Sequence, residues 1–117
     1  MEKLREKINR EMRSGLYTLF ILQSLKDLGD TYGYEIVKYI ERKSDGCIKL
    51  KDATVYPVLR YLHKKKILEA YWTEPEKGVP RKYYHLTPQG YRLLQYLKKD
   101  YFKLKKLSEM ILEGEKK

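Results

Sequence analysis

The chain has 117 residues and one cysteine, and its 26 Lys and Arg against 16 Asp and Glu leave a formal charge of +10. That length holds one hydrophobic core and excludes a second independent one. The 42% apolar content excludes wholesale disorder and the lone cysteine excludes a disulfide-stapled scaffold, while the charge fits either a polyanionic partner (nucleic acid or an anionic membrane surface) or simply a solubilising surface of Lys and Glu.

The first periodic segment runs from about Lys3 to Leu28. Ile8, Met12, Leu16, Leu19 and Leu22 recur at three- and four-residue steps, which makes one stripe of a helix. Its first dozen residues are charged and lack the apolar core of a signal peptide. The apolar run Leu19 to Leu22 is far short of the ~20 residues a membrane span needs, so a cytoplasmic protein without membrane association is expected. Gly29-Asp30 ends the segment. Thr31-Tyr32-Gly33 opens a second helix through about Lys43, with Ile36, Val37 and Ile40 apolar, and Ser44-Asp45-Gly46 is a stop-and-turn signal. Cys47 to Leu50 reads as a very short strand, with Cys47 as a buried structural thiol.

A third helix begins near Asp52, read as its N-cap, and runs to about Lys65, with Val55, Leu59 and Leu62 as its inward stripe. Pro57 predicts some local distortion. Leu68 to Thr73 and Arg81 to Thr87 read as strands, Tyr84 and Leu86 sharing a face, joined by a loop of six or seven residues around Pro75 to Pro80. Thr87-Pro88 then starts the last helix as N-cap and first position, which suits proline's fixed φ and missing N–H, and that helix continues to about Glu113. The expected fold is mainly α with a small β-hairpin (α+β). Three helices followed by a hairpin is the winged helix-turn-helix order, the hairpin being the wing. Residues 1–90 are assigned to this DNA-binding domain, with an N-terminal helical extension over 1–13, and residues 91–117 to a C-terminal dimerisation helix.

The third helix is the candidate recognition element. Ala53, Thr54, Tyr56, Pro57, Arg60, Tyr61 and Lys64 fall on its outward side, and Tyr34 at the start of the second helix is counted with them. A helix fits the major groove, where Arg reads guanine bidentately and Thr or Tyr reach phosphates or thymine methyls; its N-terminus also offers free N–H groups to a phosphate. A merely solvated polar face is the competing reading. Lys77, Arg81 and Lys82 on the wing would neutralise phosphates or enter the minor groove. On the last helix Leu94, Leu97, Tyr101, Leu104, Ser108 and Ile111 are spaced 3, 4, 3, 4, 3, a heptad seam that needs a cover, either from its own chain or from a second copy. A two-fold dimer would set two recognition helices about 34 Å apart, as a palindromic operator requires.

Catalytic chemistry has little to stand on. His63 and His85 lie in unrelated elements with no carboxylate or cysteine at ligand spacing, and there is no phosphate-binding glycine loop or nucleophile elbow. No enzyme, metal or cofactor is expected. Two other classes compete with duplex binding: a winged-helix protein-interaction module without DNA binding, and an RNA binder, which the narrow A-form groove disfavours.

Several segments stand in an order that resembles the PadR family of bacterial and archaeal transcriptional regulators, over roughly residues 13 to 92. They are Gly15-Leu16, Tyr32-Gly33-Tyr34-Glu35-Ile36, the run Thr54 to Leu62, Trp72, and the run Arg81 to Gly90. The resemblance implies a winged helix whose N- and C-terminal helices build a homodimer. It also implies repression of a nearby promoter, relieved in some members by a small aromatic or drug-like molecule at the dimer interface. Tyr96 and Tyr101 are the aromatic candidates for such a ligand, against a role in dimer packing. Two positions depart from the family pattern, Lys66 and Ala53, where glycine is usual. Lys66 must either avoid a left-handed helix cap or tolerate it, and Ala53 sits where the helix would approach DNA.

Overall fold

The computed structural model describes residues 1–74 and 78–114. Four helices and one hairpin follow in the order α1 (Glu2–Leu28), α2 (Gly33–Lys43), α3 (Asp52–Lys64), β1 (Leu68–Thr73), β2 (Arg81–Leu86) and α4 (Pro88–Glu113). The stripe expected on α1 divides along its length. Leu22 is fully buried with Ile21 and Leu25, Leu16 and Leu19 are half-buried, and Ile8 and Met12 are exposed. Gly29 stops the helix at φ +76, in a region open to glycine, and its amide donates to the Leu25 carbonyl.

The next residues tie this turn to the wing. Thr31 exchanges both backbone bonds with Tyr84, 3.0 Å from its own amide and 2.7 Å to its carbonyl, so one residue acts as a third strand beside β2. Its buried hydroxyl donates to Glu35 in the first turn of α2 (2.8 Å). β1 pairs with β2 in antiparallel register from Leu68↔Leu86 to Thr73↔Arg81. The strand expected over Cys47 to Leu50 is absent; the residue that pairs beside β2 is Thr31 instead. That segment is an irregular link whose Ile48 amide donates to the Ser44 hydroxyl, and Cys47 is exposed rather than buried.

The N-cap of α3 lies one residue earlier than expected. Lys51, in an extended conformation, is the N-cap, and Asp52 is the first helical residue, where its charge complements the helix dipole. The helix runs through Pro57 without a break. Val55, Leu59 and Leu62 point inward as expected and meet Ile36 and Ile40 of α2, Leu68, Tyr84 and Leu86 of the sheet, and Leu94 of α4 in one core.

α3 ends on Lys66, whose φ of +64 is left-handed. Its amide donates to His63 and the amide of Ile67 to Leu62, and Ile67 packs beside Leu62 in the core: this is a Schellman cap built on lysine where glycine would be unstrained. Asp45, at φ +51, caps α2 in the same way. At the start of α4, Thr87 accepts from the Gly90 amide as the N-cap expectation requires. Its hydroxyl also donates toward the carbonyls of Lys66 (2.8 Å) and Ile67 (3.1 Å). Gly90 lies so close that a Cβ there would sit 2.4 Å from the Ile67 carbonyl oxygen.

The chain is elongated, 62 × 35 × 24 Å, with a radius of gyration of 16.7 Å against the about 13 Å of a compact chain this long. The excess comes from the ends of α1 and α4. Both leave the core and carry exposed apolar residues, Leu4, Ile8 and Met12 on one, and Leu104, Leu107, Met110 and Ile111 on the other.

Candidate nucleic-acid interface

The α-helical period leaves one side of α3 open. Ala53, Tyr56, Pro57, Arg60, Tyr61 and Lys64 are exposed, and Thr54 is half-buried. Ala53, Pro57, Arg60 and Lys64 fall on a single stripe by their three- and four-residue spacing, so a groove admitting α3 would meet a methyl, a ring, a guanidinium and an ammonium in turn. Tyr56 does more than face outward. Its ring lies over Gly33, where a Cβ would stand 2.7 Å from Cε1, so α2 can approach α3 only without a side chain at that position. Tyr61 carries the Lys65 ammonium over its ring at 5.7 Å.

Tyr84 reaches the back of this helix. Burial pushes its phenol above the ordinary value, and the nearby Arg60 guanidinium opposes that shift. His63 meets its ring edge-on at 6.3 Å. The Arg60 charge is therefore near the root of the wing while its side chain remains open to solvent.

The wing divides its basic residues between two faces. Strand alternation puts Lys82 with Tyr84 and Trp72 on the side toward α3, with its ammonium 5.6 Å from the Tyr84 ring centroid. Arg81 takes the opposite face with Tyr83 and Tyr71. There its Nη1 donates to the Tyr32 hydroxyl at 3.0 Å and its guanidinium lies 4.7 Å from the Tyr32 ring centroid. The third wing residue of the sequence reading, Lys77, lies outside the described residues.

Tyr32 is the residue that sequence reasoning missed. It stood in the Tyr32-Gly33-Tyr34 motif, but its partner is 49 positions away. It belongs to a row of rings from α2 across the wing: Tyr34 and Tyr32 at 6.5 Å, Tyr32 and Tyr83 at 5.2 Å, and Tyr83 and Tyr71 at 5.9 Å. Tyr34, more than half exposed, holds the Lys38 ammonium over its ring at 5.5 Å. The row ends at Asp30, which accepts from the Tyr71 hydroxyl (2.6 Å), and that bond raises the Tyr71 pKa. The same turn brings Asp30 to 3.7 Å from His85, with Glu69 at 3.9 Å on its other nitrogen. These are carboxylates that local spacing did not offer, although no metal-holding cluster forms among the described residues.

The heptad residues of α4 fare unequally. Leu94 is fully buried in the core of its own chain, and Leu97 packs partly against it. Tyr101 and Ser108 are half-buried, while Leu104 and Ile111 are 62% and 80% exposed. Two shallow grooves meet at Phe20 and Gln23 of α1. One, of about 260 Å³, opens toward Tyr39, Lys43 and Ile48, and the other, of about 180 Å³, toward Lys98, Tyr101 and Phe102. In the first, the Tyr39 hydroxyl donates to Asp27, which raises the Tyr39 pKa. Tyr96 stands outside both and is exposed. No helix among the described residues is long and apolar enough to cross a membrane.

The model of the transcriptional regulator PadR-like family matches residues 21–96. An uncharacterized protein of Lysinibacillus sphaericus is 36% identical over 85 residues, 73% of this chain and 78% of that protein. A transcriptional regulator from Clostridium thermocellum superposes with a TM-score of 0.80 at 30% identity, covering 87% of this chain and 98% of its own. A PadR family transcriptional regulator from Eggerthella lenta superposes with a TM-score of 0.84 at 27% identity, over 97% of this chain and 96% of its own. The two solved neighbours are transcriptional regulators that share the winged helix with its two-stranded hairpin. The chain belongs to the PadR-like family of transcriptional regulators.

Proposed function

We propose that this regulator is a sequence-specific duplex DNA-binding protein that acts as a homodimer on a palindromic operator and represses transcription. The observation that carries the reading is the open stripe of α3, with Arg60 and Lys64 exposed on the helix that the hairpin flanks. In this reading residues 1–90 hold the DNA-binding domain, the ends of α1 and α4 pair with a second copy, Arg60 reads a base, and Lys64, Arg81, Lys82 and Lys77 meet phosphates. Lys66 takes the left-handed cap conformation that glycine adopts without strain. Relief by a small aromatic ligand is supported by the apolar groove beside Tyr101, next to the surface offered for pairing.

Titration of a duplex selected by the protein from genomic fragments tests the reading. Arg60→Ala is expected to weaken binding by about 1–3 kcal/mol and to relax base preference at one position in each half-site, whereas Lys64→Ala weakens all sequences alike and flattens the salt dependence. Equal loss on selected and random duplex would make Arg60 a phosphate contact. If no duplex is selected at all, the interaction-module reading replaces this one.

A further inference from the structure

The guanidinium of Arg81 is held on two sides although it stands at an exposed hairpin position. Tyr32, at the N-cap of α2, accepts a hydrogen bond from its Nη1 at 3.0 Å and lays its ring under the charge at 4.7 Å. Arginine carries large rotamer freedom, and a free one at a wing would lose it on meeting DNA. The anchor itself is fixed. Thr31, one residue before it, is bonded in both directions to Tyr84, and the Tyr32 ring rests on Tyr83 and Tyr34. On the wing side the Thr73 hydroxyl donates to the Arg81 carbonyl at 3.2 Å. Neither the helix side nor the strand side of this contact is free to drift.

The charge is oriented without being neutralised. Tyrosine supplies an acceptor oxygen and a ring face but no negative charge, and no carboxylate pairs with Arg81 among the described residues. A salt bridge would have to be broken before the guanidinium met a phosphate. A phenol leaves the remaining N–H donors and the full positive charge for that purpose.

We propose that Tyr32 is a positioning residue that holds the Arg81 guanidinium ready for the DNA backbone and couples the start of α2 to the wing. The inference rests on the duplex-binding reading above. Ordering Arg81 in advance removes the side-chain entropy of binding, which corresponds to about a twofold to tenfold gain in affinity.

The experiment is a double-mutant cycle on the wild-type-selected duplex, with the order of the Arg81 side-chain N–H groups followed by NMR in the free protein. Tyr32→Phe, which keeps the ring, should weaken binding about twofold; Tyr32→Leu, which removes both contacts, should approach tenfold and leave Arg81 disordered. In an Arg81→Ala background both Tyr32 substitutions should cost nothing further. Additive losses would mean that Tyr32 acts through the placement of α2, and they overturn the positioning role alone. Arg81 signals unchanged by Tyr32→Leu, or an Arg81→Ala variant that binds like wild type, overturn it as well. A wild-type chain that selects no duplex sinks the regulatory reading and this one with it.

Discussion

The two halves of α4 obey the same heptad spacing and meet opposite fates. At its root, Gly90 and Leu94 are buried against the α3–β1 turn and the core. Nearly three turns further on, the same apolar rhythm brings Leu104 and Ile111 into solvent. Spacing fixes which side of a helix is apolar, but only the rest of the fold decides how far along the helix its own chain provides a cover. The root of α4 is part of a domain. Its distal half, like the first three turns of α1, carries apolar side chains that its own chain leaves uncovered, and large exposed apolar patches are rare on monomers.

The contrast can be broken most forcefully at the root. Leu94→Ala is expected to cost about 2–5 kcal/mol in denaturant unfolding, because it opens a cavity in a filled core. A loss below 1 kcal/mol would place Leu94 with the distal seam after all.

The cap between the two helices that meet at the root offers a gain. Lys66→Gly removes the strain of a left-handed lysine and should raise stability by about 1 kcal/mol with DNA affinity unchanged. Unchanged or lower stability would mean that the cap relaxes without strain in solution.

At the distal end, Ile111→Ala should change unfolding of the isolated subunit by less than about 0.5 kcal/mol while weakening self-association in sedimentation, more so for Ile111→Lys. Association untouched by either variant would remove the distal seam from the interface.

The gentlest probe is alkaline. The Tyr71 phenol is raised by its bond to Asp30 and that of Tyr84 by burial, so both stay protonated beyond the ordinary 10.0. Their stabilising share is complete below that value and is lost as pH climbs through the raised folded-state values. Absorbance titration should show a late-ionising class among the tyrosines, reduced by Tyr71→Phe.

The element order was legible because each boundary has a local chemical cause. Gly29 stops α1, Thr87-Pro88 starts α4, and the alternation of Tyr84 and Leu86 marks β2. What escaped was long-range. Thr31 serves as a strand because Tyr84, 53 positions later, presents a free edge. The segment 47–50 joins neither edge of the hairpin, and its thiol is exposed. The candidate interface divides in the same way. The outward face of α3 follows from helical period alone, but that Arg81 and Lys82 point to opposite faces, and that Tyr32 takes one of them, depends on the register of the hairpin against α2. Lys66 was identifiable as the doubtful position, while the sign of its φ was decided by the carbonyls its cap has to satisfy.

One hydroxyl carries a mechanical consequence. Thr87 grips the end of α3, the entry to the wing and the first turn of α4 at once, and Gly90 lets backbone rest on backbone beneath it. A joint of that kind leaves little slack, so α4 is a stiff handle on α3 and the wing, the surface proposed to meet DNA. In a dimer of the kind proposed, a few degrees of rotation between the paired handles would change the distance between the two recognition helices, and a small molecule wedged at the seam could act on the operator without touching either of them.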